Sequence, residues 1–508
     1  MQTPSFDNFT ALSRRGNVIP VFRDIIADTE TPVTMLMKLR THPSVFLLES
    51  VEGGEKWGRY SFIGTSYHTV FSVRKDEVFI TRPAGVETMK HGGDPLNILR
   101  NEMSRYRPVE IAGLPRFYGG AVGFLGYDMV RYFERLPENT VDELKTDEAI
   151  FILTDTMIVF DNIKHTISVV ACARIETDTD LREAYDEAIR KIDDLIALIR
   201  KPAPAVTKKR SCLSVATGNG NGVTSNMSPA AFTTIVEKAR DYIHAGEAIQ
   251  VVLSQRFEKK NDLDPVDLYR ALRYINPSPY MFYLAFENVT LIGSSPEVMV
   301  RTEEGRAELR PIAGTRRRGH SEQDDRALAD ELLQDPKERA EHYMLVDLGR
   351  NDLGRIARIG SVQVTQLLNV ERYSHVMHLV STVQAELAAG KDCYDVVKAT
   401  FPAGTLTGAP KIRAMEIIEE LETSRRGPYG GAVGYFSYSG NMDFCITIRT
   451  ITVKNGTLYI QTGAGIVADS DPEREYEETV NKAMAMMTAI ELAAADFELG
   501  DQTQGGRS

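Results

Sequence analysis

Two glutamates and a lysine on one helix face, just after a glycine-rich bend, can hold a divalent cation together with an anion. Residues 461–482, QTGAGIVADSDPEREYEETVNK, read as a strand end, a turn at Gly463-Ala464-Gly465, a short apolar run and a helix. Ser470 or Asp471 can cap that helix, and Pro472 suits its first turn. Glu475 and Glu478 are three apart and Lys482 is four beyond Glu478, so the three share a face. Mg²⁺ is typically held by one or two carboxylates plus oxygens of substrate and water. Each feature also has a plain structural use: glycine after a strand makes a turn, and first-turn acids answer the helix dipole. GAGIVA fits the dinucleotide fingerprint G-x-G-x-x-A, but the helix opens too late for that site.

Three further stretches are dense in polar groups. In LIGSSPEVMVRTEEGRAELRPIAGTRRRG, two strands flank a hairpin at Glu304-Gly305, with Ser294, Ser295 and Glu297 at one polar end and Gly314, Thr315 and Arg316 at the other. Desolvation beside apolar neighbours would favour the acid form of Glu297 and suit a general acid; pairing with a nearby arginine is the alternative. A helix from Asp335 carries Glu338 and Glu341 at the same three-residue spacing as Glu475 and Glu478. Asp335, Pro336 and Glu338 match a cap, a first-turn proline and a capping box, which leaves Glu341 as the better metal ligand. In FPAGTLTGAPKIRAMEIIEELE, glycines bracket Thr405 and Thr407, and Ile412, Met415, Ile418 and Leu421 form the core side of the following helix. The P-loop pattern fails there, because Lys411 is misplaced and Ile412 replaces a hydroxyl residue; Thr405 and Lys411 could still serve a carboxylate. His375 and His378 sit in an apolar run and fit either a core position or a base.

The elements that position these groups belong to a globular chain of 508 residues, 43% hydrophobic and 26% charged. A net charge of −12 argues against nucleic acid and anionic membranes as partners, and an anionic ligand would need local positive charge. No apolar run spans a bilayer, and MQTPSFDNFT lacks the regions of a signal peptide. Cys172, Cys212, Cys393 and Cys445 lie far apart without C-x-x-C, which suits a reducing cytoplasm. The first 200 residues alternate strands and helices: a helix to Arg40, the strand SVFLLESV, hairpins at Lys75-Asp76 and Asp161-Asn162, and an amphipathic helix over 179–200. Residues 201–227 read as a linker or mobile loop, 228–498 as a second region, and 499–508 as a frayed tail. Tyr118-Gly-Gly-Ala-Val-Gly recurs from Tyr429, as two equivalent strands, one per sheet, would require.

Taken in order, the strings GEAIQVVLSQRF, NPSPYMFYL, GSSPE, RPIAGTRRRG, EHYMLVDLGRNDLGR, RYSHVMHLVS, FPAGTLTGAPK, PYGGAVGYF, DFCITIR and QTGAGIVADSDPEREYEET resemble the chorismate-utilising enzymes, most closely the large subunits (component I) of anthranilate synthases. The resemblance covers nearly the whole chain. It implies an α+β fold: two large antiparallel-rich sheets packed as a sandwich with helices outside, an N-terminal regulatory region (1–200) and a C-terminal chorismate-binding catalytic region (228–498).

It also implies conversion of chorismate and ammonia to anthranilate and pyruvate, with ammonia from a separate glutamine amidotransferase subunit in a hetero-oligomer. Mg²⁺ is implied, with Glu341 and Glu478 as matching ligands and Glu338 and Glu475 beside them. Matching substrate-binding positions are Gly314, Thr315, Tyr429, Arg449, Gly463, Ala464, Gly465 and Lys482. Glu297, Thr405 and His378 are the matching catalytic positions, with Glu297 as acid and His378 as base. Ala313 stands where relatives that add water to chorismate, or bind it covalently towards aminodeoxychorismate, carry a lysine. Counterparts of a feedback site for L-tryptophan are Glu49, Ser50, Asn276, Pro279, Tyr280 and Met281. The rival expectations are an aminodeoxychorismate synthase and a non-catalytic tryptophan-binding regulator of the same fold.

Overall fold

The computed structural model describes residues 2–26, 28–51, 58–204, 222–373 and 376–498. Cys212, His375, most of the linker and the tail 499–508 lie outside them.

The first half runs α1 (Phe6–Leu12), β1 (Val18–Ile26), α2 (Pro32–Leu39), β2 (Val45–Glu49), β3 (Tyr60–Ser66), β4 (Thr69–Arg74), β5 (Glu77–Arg82), β6 (Gly85–Lys90), α3 (Pro95–Ser104), β7 (Gly120–Leu125), β8 (Ala149–Thr154), β9 (Thr156–Asp161), β10 (Thr166–Arg174) and α4 (Leu181–Ile199). The second half opens with β11 (Val223–Ser225), inside the segment read as linker. It continues through α5 (Pro229–His244), β12 (Gln250–Lys260), α6 (Pro265–Ile275), β13 (Tyr280–Ala285), β14 (Thr290–Ser295), β15 (Val298–Glu303), β16 (Arg306–Leu309) and β17 (Ile312–Arg317). Then come α7 (Glu322–Gln334), α8 (Pro336–Gly354), β18 (Gln363–Arg372), β19 (Val376–Glu386), α9 (Cys393–Thr400), α10 (Gly404–Thr407), β20 (Gly408–Ala409), α11 (Lys411–Leu421), β21 (Ala432–Ser437), β22 (Met442–Ile446), β23 (Thr450–Lys454), β24 (Thr457–Ile466) and α12 (Pro472–Ala494).

The strands make two antiparallel sheets. One is ordered β1-β10-β9-β3-β2-β13-β14-β23-β24-β12-β11, the other β17-β19-β16-β15-β22-β21-β7-β8-β4-β5-β6. Read outward from the β2/β13 and β7/β21 pairs, each sheet repeats the same strand sequence on both sides. The molecule is thus two copies of one βα layout joined centre to centre, with β11, β17, α7, α8, β18, α10, β20 and α11 present only in the second copy.

Side-chain alternation separates the layers. Phe46 of β2 joins a core between the sheets with Phe282, Phe124 and Phe436, and Leu47 joins a core under the helices with Tyr269, Ile192 and Met486. Among the described residues no helix is long and apolar enough to cross a membrane.

Four local expectations change. The two YGGAVG segments are neighbours in one sheet, not one per sheet: Gly123 opposes Gly434 in the β7/β21 ladder. A Cβ at either glycine would collide with a backbone carbonyl of the next strand, Ile150 or Asp443, which is why glycine recurs. Gly463-Ala464-Gly465 is not a turn, because β24 continues through it and pairs with Ser254, Leu253 and Val252 of β12. Glu338 closes no capping box; Asp335 caps α8 alone, and Glu338 pairs with Arg316 at 3.2 Å. Ile412 is 45% exposed, and Ala414 and Ile417 join Met415, Ile418 and Leu421 on the buried side of α11.

Candidate active site

A cavity of about 420 Å³ opens where β12, β24 and the β14–β15 corner meet α8 and α12. Lining it are Glu297, Thr315, Glu341, His378, Thr405, Tyr429, Arg449, Gly463, Gly465, Glu478 and Lys482. Gly314 and Ala464 are not on the lining. Gly314 sits at φ 69°, where glycine is favoured, and offers its carbonyl to His378; Ala464 packs into the core under α5 and α11. Lys411, a candidate carboxylate binder, is instead tied to Asp352 at 2.7 Å.

Glu297 lies in the two-residue corner where the chain leaves one sheet at Ser295 and enters the other at Val298. Burial, opposed by a 2.9 Å hydrogen bond donated by Thr405 Oγ1, raises its pKa to about 7. His378 Nδ1 is 3.0 Å from the Gly314 carbonyl and 3.1 Å from Thr315 Oγ1. Donation to a carbonyl fixes the proton on Nδ1 and leaves Nε2 with its lone pair. Burial also lowers the pKa of His378, so the neutral, base-competent ring is favoured.

The opposite wall is cationic. Arg449 has φ 48°, faces the cavity and has no carboxylate at ion-pair distance among the described residues. Lys482 bridges Glu478 at 2.7 Å and the Gly463 carbonyl at 2.9 Å. Within a strand, N–H and C=O of one residue point to the same side. The Gly463 N–H therefore faces the open edge of β24, which β23 leaves unpaired beyond Ile460. A Cβ at Gly463 would stand 2.6 Å from Tyr429 Oη, and one at Gly465 would collide with Gln250 Nε2.

Glu338 and Glu341 of α8 face Glu475 and Glu478 of α12 across the same cavity. Burial raises the pKa of Glu341, and Glu338 and Glu478 add like-charge repulsion; burial also raises that of Glu475, with Glu478 adding to it. All of these donors are hard oxygens, as Mg²⁺ requires. Among the described residues no three acidic or imidazole groups converge closely enough to enclose a metal unaided. Substrate and water would complete the shell, the usual arrangement for Mg²⁺. Gln250, which the sequence reading missed, is on the same wall, hydrogen-bonds Glu341 and keeps a buried Oε1 without a partner. Lys337 was missed too and lines the cavity; nothing but its place beside Glu338 in sequence signalled it.

A second cavity lies between the sheets near the molecular centre, lined by Leu48, Glu49, Ser50, Tyr60, Phe62, Pro279, Tyr280, Met281 and Phe282 from one sheet and Arg301, Tyr435, Asp443 and Cys445 from the other. Asn276 is not on its lining and holds Ser294 Oγ at 3.0 Å. The Glu49 carboxylate turns to the helix layer, where Tyr269 Oη and Arg273 Nε (2.7 Å) donate to it. Asp443, on the other wall of this cavity, is held by Arg301 at 2.7 Å and Arg116 at 3.2 Å, so both of its carboxylates have arginine partners. Asp443 lies within DFCITIR but was not singled out, because its partners come from strands remote in sequence.

Comparisons with known proteins agree with this geometry. The sequence matches the chorismate binding enzyme family over residues 44–488. It is 47% identical over 494 residues to anthranilate synthase component 1 of Acetivibrio thermocellus, covering 96% of this chain and 99% of that one. Identity to the protein of the same name from Aquifex aeolicus is 47% over 500 residues, covering 97% and 99%. The crystal structure of anthranilate synthase component I from Streptococcus pneumoniae matches with a TM-score of 0.75 at 38% identity, over 86% of this chain and 95% of that one. The menaquinone-specific isochorismate synthase of Escherichia coli, 20% identical, shares the fold with a TM-score of 0.67 over 96% and 99%. With one family matched over residues 44–488, and with Glu297, Glu341, Glu478, His378 and Arg449 gathered in one cavity, the chain belongs to the chorismate binding enzymes.

Proposed function

We infer that this chain is the component 1 subunit of an anthranilate synthase, a lyase that turns chorismate and ammonia into anthranilate and pyruvate in the first step of tryptophan biosynthesis. The observation that carries this reading is the opposition, in one cavity, of a buried acid of pKa about 7 (Glu297) and an arginine without a carboxylate partner (Arg449).

Arg449 and the Gly463 N–H suit the enolpyruvyl carboxylate of chorismate, Arg449 through its fork of donors. Glu341 and Glu478, with Glu338 and Glu475 beside them, would hold Mg²⁺ against the ring carboxylate. Bound there, the ion supplies positive charge that draws electron density from the ring. Ammonia, already a nucleophile, forms a bond at C2, the ring double bonds shift, the C4 hydroxyl leaves as water with the proton of Glu297, and the new C2 ammonium gives up one proton to solvent. Ala313 on the lining offers neither a base to activate water nor an amine to attack in ammonia's place. Nε2 of His378 then takes the C2 proton, the C3–O bond breaks, the ring becomes aromatic, and the enolpyruvyl fragment departs as pyruvate after taking a proton.

Ammonia would come from a glutamine amidotransferase partner, component 2, in a hetero-oligomer. Tryptophan would inhibit by filling the cavity between the sheets, with its ammonium near Glu49 and Ser50 and its indole among Phe62, Tyr280 and Phe282. The buried free thiols of Cys172, Cys393 and Cys445 accord with a cytoplasmic setting.

The test is an assay with chorismate, ammonium and Mg²⁺, with and without tryptophan. Anthranilate and pyruvate should form in equal amounts, and tryptophan should suppress both. Aminodeoxychorismate or isochorismate as product, or tryptophan binding without pyruvate release, would overturn the reading.

A further inference from the structure

Two motif segments, RNDLGR (350–355) and GAPK (408–411), put no residue on the lining of the catalytic cavity. They meet each other instead. Lys411 Nζ, at the start of α11, donates to Asp352 Oδ2 of α8 at 2.7 Å and to the carbonyl of Thr400, the last residue of α9, at 3.1 Å. The Lys411 and Asp352 side chains are only 13% and 10% exposed. One ammonium therefore ties the ends of three helices. A cation there suits the C-terminal dipoles of α8 and α9 and opposes the N-terminal dipole of α11, so α11 by itself gives no reason for a lysine at its first position.

Each tied end leads to a functional side chain. Glu341, Leu345, Gly349 and Asp352 follow one another at steps of four, four and three residues along one face of α8. Anchor and metal ligand are thus about 16 Å apart on one rod. Thr405, just beyond Thr400, donates to Glu297. Between the two lies a smaller cavity of about 50 Å³, lined by Leu345, Gly349 and Asp352 of α8, by Thr400 and Thr405, and by Glu297. A void offers no packing contacts, so it cannot fix the spacing of its walls. Where α8 and α10 do approach, a Cβ at Gly404 would stand 2.8 Å from Leu348 Cδ1, so the contact is close and depends on glycine. The spacing that keeps Thr405 in reach of Glu297 is set by that contact and by Lys411.

We propose that Lys411 is a positioning residue: with Asp352 and the Thr400 carbonyl it forms a strut that holds the helix carrying Glu341 in register with the segment carrying Thr405. Metal ligand and acid then address the same substrate. This rests on the reading of Glu297 as the acid and of Glu341 as a metal ligand, and adds the residue that registers one against the other.

The experiment compares the full-length parent with Lys411→Met combined with Asp352→Leu. This double variant removes the pair as a neutral unit and leaves neither charge buried alone. Two quantities are read: the rise in melting temperature on adding Mg²⁺, and the pH at which kcat falls at constant free ammonia. The groups facing Glu297 are Thr405 of α10, Lys482 of α12 and, across the smaller cavity, Arg310 and Asp352. The double variant should need about tenfold more Mg²⁺ for the same rise, as when a ligand loses its support. Its falling limb should move to higher pH, towards that of Thr405→Val. Asp352→Asn slackens the tie to α8 and keeps the bond to Thr400, so it should weaken the Mg²⁺ response without raising the limb; it carries the test if the double variant does not accumulate folded. Movement of one quantity alone or of neither in the double variant, or a parent-like Mg²⁺ response in Asp352→Asn, would overturn the strut. Glu297→Gln and Glu341→Gln keep the readings apart. If they leave the limb and the Mg²⁺ response unchanged, the assignment of acid and ligand fails; if they act as expected and the Lys411 variant does not, only the strut fails.

Discussion

Thr405 Oγ1 donates to Glu297 Oε1 at 2.9 Å, and this bond opposes the burial that lifts the acid to a pKa of about 7. The balance sets where the acid carries its proton. Below about pH 7 Glu297 is protonated and can hand a proton to a leaving hydroxyl; above it the proton is lost. With free ammonia held constant, kcat should fall as pH rises through about 7. Thr405→Val removes the contact that lowers the pKa, so the falling limb should move to higher pH. Glu297→Gln should cut kcat by about 10²–10⁴-fold, the usual worth of a positioned acid. A limb that stays put in Thr405→Val would show that another group controls it.

The same shift has a consequence for folding. A carboxyl whose pKa is raised in the folded state adds stability that is complete below its unfolded value of 4.5 and is lost as pH rises to about 7. Glu297→Gln cannot titrate, so denaturant titrations between these pH values should show a flatter dependence of stability on pH than the parent. An unchanged slope would mean that the carboxyl is not held in its acid form.

Glu341 and Glu478 reach one cavity from α8 and α12, helices more than a hundred residues apart in sequence, and their mutual repulsion contributes to the raised pKa of Glu341. A divalent cation relieves that repulsion. Mg²⁺ should therefore raise the melting temperature of the parent and should raise it less in Glu341→Gln or Glu478→Gln, whose Mg²⁺ requirement in turnover should move to higher concentration. Because protons compete for the same carboxylates, the apparent Mg²⁺ affinity should weaken as pH is lowered. Equal stabilisation of parent and both variants by Mg²⁺ would remove these residues from the ligand set.

The helices that carry the two acid pairs and the strand end that carries Glu297 were readable because their signals are local: caps, periodicity and polar residues after an apolar run; the sandwich was legible only through the resemblance of the ordered motifs. Pairing across long stretches of sequence was not. Gly463-Ala464-Gly465 looks like a turn until β12, far earlier in the chain, pairs with it. The YGGAVG repeat announced a duplication, but only the ladder shows Gly123 facing Gly434. Residues 62–71 and 178–191 resemble residues 291–300 and 469–482, and that comparison would have revealed the full duplication. Glu338 was misjudged because Arg316, its partner, comes from a different element, and capping rules see only the helix itself.

Tyr280, on the lining of the cavity between the sheets, opposes Ser295 in the β13/β14 ladder, two residues before Glu297, so one wall of that cavity is hydrogen-bonded to the strand that leads into the acid. Filling that cavity can therefore disturb the corner where Glu297 sits. Ser50→Phe places a ring at the cavity and should abolish tryptophan sensitivity with activity retained. Glu49→Gln should weaken tryptophan inhibition, as expected of the acid proposed to meet its ammonium. Inhibition curves that coincide with the parent for both variants would locate tryptophan elsewhere.

Beside the cavity that holds Glu297 and Arg449, Arg426 and Glu422 form a buried pair, 2% and 3% exposed, at 2.6 Å. Arg426 also donates to the carbonyls of Leu406 and Val252, both at 2.7 Å, while Glu422 accepts from Ser254 N and Oγ. Removing one partner leaves a buried charge unpaired, so Glu422→Ala should cost about 3–5 kcal/mol of stability. Glu422→Gln keeps an acceptor for Ser254 and should cost less. Arg426→Lys keeps the charge but loses the planar fork that reaches both carbonyls. Leu406 adjoins Thr405, so loosening its carbonyl should weaken the Thr405–Glu297 bond and move the alkaline limb of kcat in the direction of Thr405→Val. A variant that loses stability with no movement of that limb would confine the pair to a structural role.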